Sequence, residues 1–94
     1  VSEAGRLLPW TSPEGKPCYV VGDGSGYVSR LADEVEDVHL GMADALLGHA
    51  GELLAERRTT STELRYLALR LTESLRDVKR VADSRGARLP PAGP

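Results

Sequence analysis

Two long stretches of helical apolar period, parted only by "RRTTSTE" (57–63), constrain this chain more than any other feature. At about 100° per residue, Val28, Leu31, Ala32, Val35, Val38, Met42, Ala45, Leu46, Ala50, Leu53 and Leu54 fall on one side of a helix over 27–56. Beyond the break, Leu64, Leu67, Ala68, Leu71, Leu75, Val78 and Ala82 stripe a second helix over 61–85. Thr60 followed by Glu63 has the spacing of a capping box, in which hydroxyl and carboxylate each satisfy a free backbone amide. Gly86 is placed to end the second helix in a left-handed cap. Helices joined by so short a link must turn back on each other.

That register sets Asp33, Glu34, Glu36 and Asp37 beside the segment holding Arg76, Lys79, Arg80 and Arg85. The basic cluster also lies at a helix C-terminus, where the macrodipole favours cations. The cluster therefore has a partner inside the chain. With a net charge of -2 there is no basic field for nucleic acid.

The N-terminal part reads differently. Residues 1–26 are dense in Pro and Gly, and "TSPEGKP" (11–17) puts Pro13 and Gly15 where a tight turn uses them. The flanking runs "LLPW" and "CYVV" predict an extended arm or short β-hairpin, with Pro9 and Pro17 restricting its pairing. Two strands alone are marginal, so this hairpin must lie on the helices, with Trp10 as its anchor. The segment 87–94, "ARLPPAGP", reads as a flexible Pro-rich tail. The expected fold is mainly α: arm or β-hairpin, then a long antiparallel two-helix hairpin.

Composition bears on compartment and partners. No apolar run approaches the roughly 20 residues of a bilayer span, and "VSEAGRLLPW" lacks the apolar centre of a signal peptide. The single Cys18 suits a reducing compartment and reads as a packed thiol, so the expected location is cytoplasmic, with no membrane partner. The lack of Phe, Ile, Asn and Gln, with Arg far above Lys, reads as coding bias of a GC-rich bacterial genome.

The stretch "VVGDGSGYVSRLADEV" (20–35) is similar to the first motif of S-adenosylmethionine-dependent methyltransferases, an apolar strand, an acidic glycine-rich turn and a helix. The resemblance covers sixteen residues and implies cofactor contact at Gly22, Gly24 and Gly26. It also implies an extended parallel sheet, and no strand pattern follows Val35. The dinucleotide pattern G-x-G-x-x-G fails at Tyr27, and a Walker-type reading of "EGKP" fails at Pro17. The loop is accordingly read as a turn into the first helix, capped by Asp23 or Ser25, and no cofactor is expected. A small-ligand or cofactor binder through 22–27 is the alternative.

His39 and His49 both fall in the first helix's apolar arc. Glu36-x-x-His39 has the spacing used by carboxylate-bridged di-iron bundles, but the second helix directs no glutamate inward from its stripe. A metal-binding bundle on Glu36 and His39 is thus the third reading. A histidine in a dimer interface would loosen it on protonation near pH 6.

Stripe width carries the functional expectation. The first helix's arc spans nearly 200°, more than one partner helix and a short hairpin can cover. The simplest remedy is a homodimer, two hairpins forming a four-helix bundle, with Val35, Val38, Met42, Leu46, Leu47, Leu53 and Leu54 in the interface. Gly41, Ala45 and Gly48 form a small-residue strip on its flank. The chain is therefore expected to be a small non-enzymatic protein–protein interaction module, a regulator or adaptor.

Overall fold

A computed structural model describes residues 5–22 and 24–88. Strand β1 (Arg6–Thr11) and strand β2 (Pro17–Val20) form an antiparallel two-stranded sheet, followed by helix α1 (Tyr27–Ala55) and helix α2 (Ser61–Arg88). The chain is mainly α, as the apolar periods require.

The turn between the strands is dictated residue by residue. Ser12 and Pro13 open it, and the Gly15 amide donates to the Ser12 carbonyl at 2.9 Å. Gly15 has φ of 80°, which a side chain would resist. Arg6 pairs with Val20, Leu7 with Tyr19 and Thr11 with Pro17. Four steps along β1 thus oppose two along β2, and the bulge holds Pro9, which has no amide to offer a ladder. Pro17 sits at the first position of its strand, where a missing donor is tolerated.

The link between the helices is equally determined. The Thr59 hydroxyl reaches the carbonyls of Leu53 at 2.6 Å and Glu56 at 3.1 Å, closing α1. Thr60 opens α2 through the expected box. Its hydroxyl accepts from the Glu63 amide at 3.1 Å, and the Glu63 carboxylate accepts from the Thr60 amide at 3.2 Å.

Two boundaries differ from expectation. Helix α2 runs through Gly86 to Arg88, and Gly86 lacks a positive φ. The Arg88 side chain folds back to donate to the Ser84 carbonyl at 3.2 Å, which holds that last turn without a glycine cap. The rest of the expected tail, 89–94, lies outside the described residues. At the same end of the hairpin, the N-cap of α1 is Gly26, with no side-chain hydrogen bond, rather than Ser25. Asp23, the other expected cap, lies outside the described residues.

Strand β1 packs on both helices, and the Ser84 hydroxyl donates to the Leu7 carbonyl at 2.9 Å. The result is a slab of 57 × 38 × 19 Å. Its thin dimension is under two helix diameters, so few side chains can be fully enclosed. Leu8, Ala32, Ala50, Leu67 and Val81 form the buried apolar core.

Thr60→Ala should lower stability by about 1 kcal/mol. Gly86→Ala, now inside a helix with open space at its α-carbon, should raise it by up to ~1 kcal/mol. Urea unfolding of both variants checks the pair; a destabilised Gly86→Ala would restore the glycine cap.

Candidate functional site

The most enclosed large side chain is a charged one. Glu36 is only 1% exposed, in the middle of α1's packed face. Opposite it comes Arg6 from β1, itself 9% exposed. The Arg6 guanidinium donates to the Ser29 carbonyl at 2.9 Å, to Asp33 Oδ1 at 2.6 Å and to Glu36 Oε2 at 3.3 Å. The second oxygen of Glu36 faces Arg85 at 3.5 Å and Arg88 at 3.7 Å on α2. One carboxylate thus joins the sheet and both helices. The charge reading anticipated Glu36 against Arg85. It did not anticipate Arg6, which takes Asp33 as well. Arg80 and Lys79 turn instead to Asp77 and Asp83 on their own helix.

This anchor fixes the rotation of α1. The face drawn inward runs Ser29, Ala32, Glu36, His39, Ala43, Leu46, Ala50, Leu53, in alternating steps of three and four. The first six positions each lie one residue after a member of the more apolar line Val28, Leu31, Val35, Val38, Met42, Ala45. That line is therefore turned about 100° away from the seam. Val28, Leu31, Val38 and Met42 are exposed, where the periodicity had placed them against a neighbour. The sequence stripe merged the two lines, and the guanidinium separates them.

Across the seam lies a second uncovered tract, to which both helices contribute. Ala43 and Leu47 of α1 with Leu71, Ser74, Leu75 and Val78 of α2 line an apolar groove of about 300 Å³. Leu47 is 65%, Leu54 73% and Leu75 68% exposed, and Leu64 is exposed beside them. Leu54 lies two turns beyond Leu47, and Leu64 two turns before Leu71. The expected interface residues thus divide. Val38 and Met42 emerge on one flank of the seam and Leu47 and Leu54 on the other, while Val35, Leu46 and Leu53 are half-buried.

His39 and His49 line one cleft of about 320 Å³ with Met42, Leu46, Arg70, Glu73 and Asp77. His39 Nε2 is 4.0 Å from Asp77 Oδ2, and its buried Nδ1 has no partner. Glu36 is taken up by three guanidinium groups and does not join His39. Among the described residues, no three of His, Cys, Asp or Glu converge on a metal-sized site.

Gly22 and Gly24 face a recess shared with Arg6, Ser29 and Arg88, and Gly26 borders a neighbouring one. The strand, loop and helix of the methyltransferase-like motif are present, but the sheet they belong to is two-stranded and antiparallel. Among the described residues there is no extended parallel sheet of the kind the resemblance implies. Arg6, the most buried charge at that recess, is already committed to Ser29, Asp33 and Glu36. Cys18 is a half-buried free thiol, and Trp10 is half-buried on β1. Among the described residues, no helix is long and apolar enough to cross a membrane. No protein-family model, curated protein or solved structure matches the chain.

Arg6→Met should destabilise the fold by roughly 3–5 kcal/mol, because it strips Glu36 of its closest cation inside the protein. Arg6→Met combined with Glu36→Leu should regain most of that loss. Thermal unfolding of the two variants decides it, and equal losses would mean that the charge pairing is not what holds this junction.

Proposed function

We propose that this chain is a non-enzymatic protein–protein interaction module that acts as a homodimer, two helical hairpins meeting in a four-helix bundle. As a regulator or adaptor it would present a surface to other proteins rather than carry out chemistry. The observation that carries the reading is the leucine tract along the helix seam: Leu47, Leu54, Leu64 and Leu75 all stand in solvent on one broad face.

Energetics favour covering that face. A leucine side chain taken fully out of water contributes roughly 1.5–3 kcal/mol. In a two-fold pair each residue counts twice, because the same patch serves on both copies. A contiguous apolar face of this kind marks an interaction site more often than bare surface. Because both helices border the groove, the covering body must be as wide as a helix pair, and a second hairpin has that width.

Leu47→Asp and Leu75→Asp should each weaken self-association about tenfold or more, equivalent to roughly 1.4 kcal/mol. Neither should disturb the helices, since both side chains are exposed in the single chain. Sedimentation equilibrium with circular dichroism checks both points. A chain that stays monomeric at micromolar to millimolar concentration would refute the reading.

A further inference from the structure

We infer that the second copy lies with its interhelical turn at the same end of the bundle, so that α1 of each copy packs against α2 of the other. This rests on the homodimer reading and adds its orientation.

Two hairpins stacked face to face admit two two-fold arrangements. A two-fold axis along the bundle puts the turns together and sets α1 against the partner's α2. An axis across the bundle puts the turns at opposite ends and sets α1 against α1 and α2 against α2. Apolar contact alone barely distinguishes them, because leucines line both helices. Charge does distinguish them.

Helix α1 has one arginine against six acids, a net charge of -5. Helix α2 has seven basic residues against four acids, a net charge of +3. Internal pairing sharpens the contrast. Each acid of α2 has a partner within its own helix or cap: Glu63 with Thr60, Glu73 with Arg70, Asp77 with Arg80, Asp83 with Lys79. On α1, Glu34, Asp37, Asp44 and Glu52 have no ion pair among the described residues, and on α2 neither Arg65 nor Arg76 has one. Apart from Arg30, which donates to the Ser25 carbonyl, the charges without an ion pair are acids on α1 and arginines on α2.

Position makes this relevant to the leucine face. Asp44 is three residues before Leu47, and Asp37 lies two turns before Asp44 on the same helical face, so both project beside the groove on its α1 border. Arg65 is one residue from Leu64 and three from Ala68, on the α2 border. Like-facing helices would set Asp37 and Asp44 against the net-negative α1 of the second copy. The arrangement with turns together brings them towards the arginine-bearing helix. Complementary edges select the docked orientation even where they add little affinity.

The test uses the full chain carrying Cys18→Ser and Arg57→Cys, which places one thiol in the exposed interhelical turn. With turns together the two thiols are about 10 Å apart, one interhelical spacing. With turns opposed they are about 40 Å apart, the length of a helix. A short bis-maleimide should convert most of the dimer into a covalent pair. As a second readout on the unaltered chain, association should weaken as sodium chloride rises, since attractive edges are screened. A dimer of the same size that does not cross-link, or one that tightens with salt, overturns the orientation and leaves the homodimer standing. A monomer under all conditions overturns both.

Discussion

The contact between Arg6 and Glu36 determines which side of α1 faces inward, and most of the architecture follows from that choice. A carboxylate enclosed in a thin fold needs cations beside it, and three arrive from two elements, Arg6 with a hydrogen bond and Arg85 and Arg88 as ion-pair neighbours. Once Glu36 is held, Ser29, Ala32 and Ala43 must line the same seam, because they share its helical face. These are small residues, so the helices can approach without large side chains between them. The bulkier Val38, Met42 and Leu47 are displaced to the flanks. A buried ion pair gives little net stability compared with apolar residues of the same volume. What it supplies here is a single rotation for α1.

That arrangement separates two tasks that a small helical protein often performs with one surface. Around a small apolar core, the elements are tied together by polar anchors: Arg6 on Glu36, the Ser84 hydroxyl on Leu7, the Thr60–Glu63 box and the Thr59 closure. The apolar side chains on the outside are then free to meet another surface. The two histidines belong to neither set. They line a cleft on the flank opposite the leucine groove, His39 near Asp77 and His49 exposed.

Much of this was legible in the residues. The periods at 27–56 and 61–85 and the Thr60–Glu63 spacing define two antiparallel helices, and Pro13 with Gly15 defines the β-turn. Those signals are local, each deciding a hydrogen bond within a few residues. The rotation of α1 was not legible, because it depends on Arg6, thirty residues from Glu36 in sequence. Arg6 in "AGRLLPW" looks like any solvated charge, and no spacing rule links it to a helix. The extent of α2 was misread for the reverse reason: a glycine near a helix end carries a strong local signal, and the Arg88 contact overrides it. The leucine groove was half visible. Leu47 and Leu54 widened the arc of α1, but Leu64 and Leu75 counted as core until the seam was located.

A fold that encloses Glu36 and leaves Leu47, Leu54, Leu64 and Leu75 outside is poorly supplied with hydrophobic stabilisation as a single chain. Domains of this size retain only about 5–15 kcal/mol of net stability, and each ordered residue counts against them by about 1–2 kcal/mol of backbone entropy. If a second copy covers the leucine face, association and folding are no longer separate equilibria, and stability rises with protein concentration by mass action. The polar seam then has a further consequence. Because Arg6 and Glu36 fix α1 before any partner arrives, the leucines of α1 and α2 already share one face. The docking step therefore need not reorganise the hairpin, and less of the apolar gain is lost to ordering.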